Sequence, residues 1–234
     1  MVESLDRPPD GLLNLLLPNR CAGCAAPGAA MCARCLGAFH GPFLVRRRPV
    51  VAIRGAPPCY ALADYGGAAR AVVLAYKERG RRDLAAPLGR LLARGLALLS
   101  TDDGDTVWLV PAPSRRSNAR RRGGQHMLGV ARHCAAELAA AGRAAAVAPA
   151  LRVRQVRDSV GLDGAQRLAN LAGRIHVHLA GAPPPSSTVI VLDDVLTTGA
   201  TAAACTQALS AAGFGVGGVL TLTVAGTHVG KDHA

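Results

Sequence analysis

The stretch VIVLDDVLTTGAT, residues 189–201, leaves few architectures open to this chain. It begins with four consecutive apolar residues, three of them β-branched. Such a run has no polar face to offer water, so it predicts a strand at 188–192 covered on both sides. Two acids follow, then a threonine-rich turn around a glycine, and a helix is predicted over 199–212. Strand, turn and helix in that order form the unit of a parallel α/β sheet.

The other segments repeat the alternation. Apolar residues recur at helical spacing across 68–100, interrupted by YKERGRRD, which predicts one helix at 84–99. VWLVPAP at 107–113 predicts a short buried strand stopped by prolines, and 125–141 a helix ended by Gly142. Strands are predicted at 146–153 and 175–179, with a polar segment to residue 170 between them. PPPSS reads as a loop, and GVGGVLTLTVA as the last strand. The expected fold class is therefore α/β, a parallel sheet flanked by helices.

Half of the 234 residues are hydrophobic, enough for one full core and a small appendage. No apolar run approaches the ~20 residues of a membrane helix, and the first ten residues carry acids and two prolines. A cytoplasmic chain without membrane insertion is expected. The formal charge of +12 favours anionic partners. Arginine supplies nearly all of the positive charge, since only Lys77 and Lys231 are lysines. An arginine-rich composition arises without any nucleic-acid function, so only clustered arginines count towards one.

The appendage is marked by CAGCAAPGAAMCARC, in which Cys21, Cys24, Cys32 and Cys35 form two C-x2-C turns seven residues apart. Two such turns supply four thiolates to a tetrahedral ion, and zinc is expected there. Disulfides are the competing reading, disfavoured in a reducing cytoplasm. A closed four-thiolate set has no open position for catalysis; its expected role is to fold a segment too short for its own core. Cys59, Cys134 and Cys205 read as small buried hydrophobes. LLNLLLP, ahead of the cysteines, reads as an apolar turn packing on the main domain. The expected divisions are 1–45 for the N-terminal segment with its zinc finger, 46–59 for an irregular connector, and 60–234 for the main domain.

In an open parallel sheet, ligands bind beyond the carboxyl ends of the strands, where Asp193 and Asp194 are expected. Thr197, Thr198, Gly199, Ala200 and Thr201 then open a helix. Its first N–H groups, with hydroxyls and a glycine permitting close approach, make a phosphate cradle. Acids beside such a cradle suit a sugar phosphate. An NTPase would need a P-loop, and GTHVGKD at 226–232 is one residue short, with no room for a following helix. His176 and His178 alternate on a predicted strand and are expected to face solvent.

VIVLDDVLTTGAT resembles the phosphoribosyl-pyrophosphate (PRPP) loop of type I phosphoribosyltransferases. The four-cysteine knuckle, LAYKERGRRDLAAPLGRLLA, VPAPSRRSNARRRGG and the R-x2-N at Arg167 and Asn170 resemble, in that order, the ComF family associated with DNA uptake. This resemblance covers about residues 12–223 and implies a type I phosphoribosyltransferase-like sheet. It implies that Asp193 and Asp194 hold the ribose hydroxyls and 197–201 the 5-phosphate. Ala112, Pro113, Ser114 and Arg115 fall where these enzymes place a pyrophosphate loop. Arg116, Arg120, Arg121 and Arg122 continue the basic run, and Lys77 matches a lysine implied to contact phosphate. The chain departs from the family at Ser159, where glutamine is usual, and in RGGQH at 122–126, where relatives read RGFNQ.

The expected activity is Mg2+-dependent transfer of phosphoribosyl from PRPP to an acceptor, a pentosyl transfer. Mg2+ would be held mostly by PRPP and water. The alternative is a ComF-like protein that handles single-stranded DNA with PRPP as ligand or regulator. With three Phe, three Tyr and one Trp, the chain has few rings on which bases could stack. A homodimer or the DNA-uptake machinery is the expected protein partner.

Overall fold

A computed structural model describes residues 20–46, 56–99, 106–113, 125–154 and 174–226. The elements in chain order are α1 (Ala33–Leu36), β1 (Phe43–Leu44), β2 (Cys59–Ala61), α2 (Gly67–Glu78), a 3-10 turn (Arg82–Leu84) and α3 (Ala85–Leu99). There follow β3 (Val107–Pro111), α4 (His126–Ala140), β4 (Ala145–Val147), β5 (Leu151–Val153), β6 (Ile175–Val177), β7 (Thr188–Leu196), α5 (Ala200–Ala211) and β8 (Gly215–Val224). Six strands form a sheet in the order β1-β2-β8-β7-β3-β4, parallel except for β1; β5 and β6 pair antiparallel as a separate ribbon. No helix among the described residues is long and apolar enough to cross a membrane.

The expected α/β sheet is present, and the apolar run at 189–192 shows why it is covered twice. Successive side chains of a strand point to opposite faces. Leu192 joins Leu109, Leu220 and Leu222 against Val72, Leu88, Leu92, Met127 and Val130 of α2, α3 and α4. Val189 and Val191 join Val110 and Val219 against Ala204, Cys205 and Leu209 of α5, with Leu151 and Ile175 of the ribbon. Burial on this scale is worth ~25 cal/mol per Å2 of apolar surface, so a polar residue on either face needs a reason to be there.

Three expectations change. The single strand expected at 146–153 is two, β4 and β5, in different sheets: Pro149 lies in the break and cannot donate to a ladder. β7 runs on past the acids to Leu196, because β8 pairs with it through Asp193↔Thr221 and Val195↔Thr223. His176 is half-buried with its Nδ1 wholly so, where a solvent-facing ring was expected. Cys134 and Cys205 are buried as expected, and Cys59 is half-buried. The LLNLLLP turn lies outside the described residues.

The topology sets the site. From β3 the chain passes to α4 on one face of the sheet, and from β7 to α5 on the other. The helices that follow these adjacent strands therefore lie on opposite faces, which makes the carboxyl ends of β3 and β7 a topological switch point, where ligands bind in open α/β sheets. Pairing between β3 and β7 stops at Pro111↔Leu192, with one further link from the Ala112 N–H to the Leu192 carbonyl at 2.8 Å. Among the described residues, Asp193 and Asp194 then have only β8 as a strand neighbour.

Candidate functional site

Adjacency on a strand sends the two acids to opposite faces. Asp194 turns to the face of α2 and α4 and is buried at 4% exposure. Lys77, in the last turn of α2, reaches Asp194 Oδ1 at 2.9 Å and Oδ2 at 2.8 Å. His126, the first residue of α4, brings its Nε2 to Oδ2 at 2.7 Å. Burial works against the Asp194 charge, but the His126 hydrogen bond and the Lys77 ammonium outweigh it and hold the carboxyl below its ordinary range. The Tyr76 hydroxyl donates to the His126 carbonyl at 2.6 Å, and the buried Thr223 hydroxyl to the Asp194 carbonyl at 3.2 Å.

Asp193 turns to the face of α5 and is half-buried. Its Oδ1 accepts the Asp194 backbone N–H at 2.8 Å. Burial first, and the Asp194 charge second, push its carboxyl up to about 7, against the pull of that N–H and of Lys77. The pair thus combines one carboxylate fixed in its charged form with one poised to titrate near neutrality. Environments that push neighbouring acids apart in this way are characteristic of functional sites.

The turn after β7 leads into α5 through Gly199, at φ 77° and ψ 1°. This left-handed backbone favours glycine. No side chain caps α5, apart from a long contact of 3.4 Å from the Ala200 N–H to Thr198 Oγ1. The first N–H groups of a helix have no partner within it and carry the positive end of its dipole. Thr197 is exposed, Thr198 and Thr201 are half-buried and Ala200 is buried. The arrangement suits a phosphate-sized anion.

Of the residues expected at a site, Asp194 and Lys77 are brought into direct contact, with Asp193 and 197–201 following along β7 and its turn. Ala112 and Pro113 end the described part of the β3 loop. Ser114, Arg115, Arg116, Arg120, Arg121 and Arg122 lie outside the described residues, as do Ser159, Arg167 and Asn170. Sequence reasoning missed His126. Its one sequence signal is its place in RGGQH, where the chain departs from the pattern it otherwise resembles.

At the N-terminal end, the sulfurs of Cys21, Cys24, Cys32 and Cys35 all lie within 4.8 Å of one another. Cys24 and Cys32 Sγ are 3.6 Å apart. A disulfide needs about 2.05 Å, whereas thiolates about 2.3 Å from a tetrahedral zinc lie about 3.8 Å apart. The Cys32 N–H points at Cys21 Sγ at 3.3 Å. Burial raises the Cys21 thiol, but this and the neighbouring Cys24 and Gly23 N–H groups bring it down to about 6. The donor set fits a structural zinc ion, which these four cysteines would hold closed to substrate.

The fold and its site define an α/β protein with a mostly parallel sheet, an acid pair at its switch point and a four-cysteine cluster. No family model matches the chain, and no curated protein sequence matches it. Among solved structures it is similar to an orotate phosphoribosyltransferase from Aeropyrum pernix, at 20% identity and a TM-score of 0.34, over 82% of this chain and 78% of that one.

Proposed function

We propose that the chain binds PRPP with Mg2+ and transfers its phosphoribosyl group to a nitrogen acceptor. The observation that carries this reading is the uncapped start of α5 behind left-handed Gly199, directly after two acids at the sheet's switch point. In this reading Thr197, Thr198, Gly199, Ala200 and Thr201 take the 5-phosphate. Asp193 and Asp194 lie beside the ribose, and Lys77, Pro113, Ser114, Arg115 and Arg122 serve the pyrophosphate. The bond from the anomeric carbon to the pyrophosphate oxygen breaks, and pyrophosphate leaves with the electron pair. The acceptor nitrogen bonds to that carbon and gives up a proton. Positive charge develops on the ribose as the leaving group departs, so a fixed carboxylate nearby lowers the barrier. Mg2+ would neutralise charge on the departing pyrophosphate.

The deciding experiment follows pyrophosphate release from PRPP against a panel of bases and amines, beside calorimetry with PRPP and Mg2+. Binding with acceptor-dependent release supports the transferase. Binding without release favours the ComF-like reading, in which PRPP is a ligand or regulator of a protein handling single-stranded DNA. No binding would overturn both.

A further inference from the structure

His126 is a costly residue for its place. Its side chain is 11% exposed, and its Nδ1 is fully buried with no partner among the described residues. An unpaired buried polar atom lowers stability, and an apolar side chain would fill the same helix face without that penalty. What offsets the cost is the other nitrogen, 2.7 Å from Asp194 Oδ2. Asp194 is held in its charged form, so it accepts and Nε2 carries the proton. A role for Nδ1 as general base is unattractive, because the atom has no surface through which to reach an acceptor.

The function of the contact lies one group further on. Lys77 has a flexible four-carbon stem and retains 30% exposure, so its ammonium needs a fixed partner to hold one position. Both Asp194 oxygens supply it, and the second is shared with His126. Next to Lys77 on α2, Tyr76 bonds the His126 carbonyl, so the two helices meet at His126 by main chain and side chain together. We propose that His126 is a positioning residue: by holding Asp194 Oδ2 it fixes the carboxylate that keeps the Lys77 ammonium at the switch point, ready for an anionic pyrophosphate group. Asp194 thereby serves Lys77 as well as the ribose side of the site, and half-buried Asp193 is the acid more open to ligand.

The identity of the anion rests on the PRPP reading; the positioning of Lys77 does not, and the test separates them. In the first arm, the folded protein is treated with an amine-acylating reagent and labelling of its two lysines is read by mass spectrometry, Lys231 normalising the dose. His126→Ala should raise Lys77 labelling, and His126→Gln, whose amide N–H reaches towards Asp194 as Nε2–H does, should restore protection. In the second arm, calorimetry with PRPP and Mg2+ should show affinity roughly tenfold weaker in His126→Ala and close to wild type in His126→Gln, the scale of one charge-assisted hydrogen bond. Thermal melts confirm that each variant is folded; should the Ala protein not fold, His126→Asn takes its place. Equal Lys77 labelling in wild type and the variant lacking the contact would overturn the positioning role. Wild-type protein that binds no PRPP while its labelling follows the expected order would overturn the ligand and support the positioning.

Discussion

Asp193 holds a proton in the folded chain that it would lose unfolded. An ordinary aspartate titrates near 3.9, and here burial and the Asp194 charge raise the folded value to about 7. Between roughly pH 4 and 7 the folded state therefore binds more protons than the unfolded one, and stability from this group falls as pH rises through that window. Asp194 runs the other way. Its carboxyl is held low, so its contribution is present above about pH 4 and is lost only as pH falls through the folded value. Asp193→Asn removes the first effect alone. Its melting temperature should exceed wild type by several degrees at about pH 8, and the two should converge near pH 4, where both side chains are neutral. The same temperature gap at both pH values would show that another group is responsible. The acids themselves were legible in the sequence, since charge after an apolar run has few explanations. Their division of roles was not, because it depends on Lys77 and His126, residues 117 and 68 positions from Asp194 and supplied by two different helices.

Helix and strand boundaries followed hydrophobic period closely for α3, α4 and α5, where the apolar stripe or a flanking glycine marks both ends. They failed where a partner strand decides the outcome. β7 continues through two acids because β8 offers Thr221 and Thr223 opposite, and no local pattern in 189–201 announces that. Side-chain size at crossings is equally silent until elements are placed. Gly89 of α3 meets α4 so closely that a methyl group there would stand 2.5 Å from His133 Cβ and 2.9 Å from the Cys134 amide nitrogen. Part of that neighbour is backbone and cannot swing aside. Gly89→Ala should force the helices apart at about 1–3 kcal/mol, the usual range for overpacking, read as a lower urea midpoint with unchanged slope. At Gly199 the obstacle is the backbone itself, at φ 77°. Gly199→Val should both strain the turn and fill the space before the first N–H groups of α5, abolishing PRPP binding in calorimetry. Wild-type affinity in that variant would remove the phosphate from this turn.

The four-cysteine knuckle is too small to hold a core alone, and the chain does not ask it to. Buried Cys21, Met31, Cys35 and Phe39 belong to the same apolar cluster as Val72, Leu88 and Leu92 of α2 and α3. Arg81, past the end of α2, donates to the Arg20 carbonyl at 3.0 Å, and β1 pairs with β2 at the edge of the main sheet. A metal ion holding the cysteines would therefore stabilise more than its own loop. Thiolate zinc sites supply ~10–16 kcal/mol of apparent binding energy to small folds, and that energy would be shared across a common core. The expected outcome is one zinc per chain by elemental analysis and a single cooperative melt that moves down as a whole on chelation. Cys24→Ser should lose the metal and reproduce the chelated melt, since a hydroxyl does not replace a thiolate ligand. Two resolved transitions, with only the smaller responding to chelator, would mean that the knuckle folds independently. A metal-free chain melting at the holo temperature would leave the four sulfurs without a structural role.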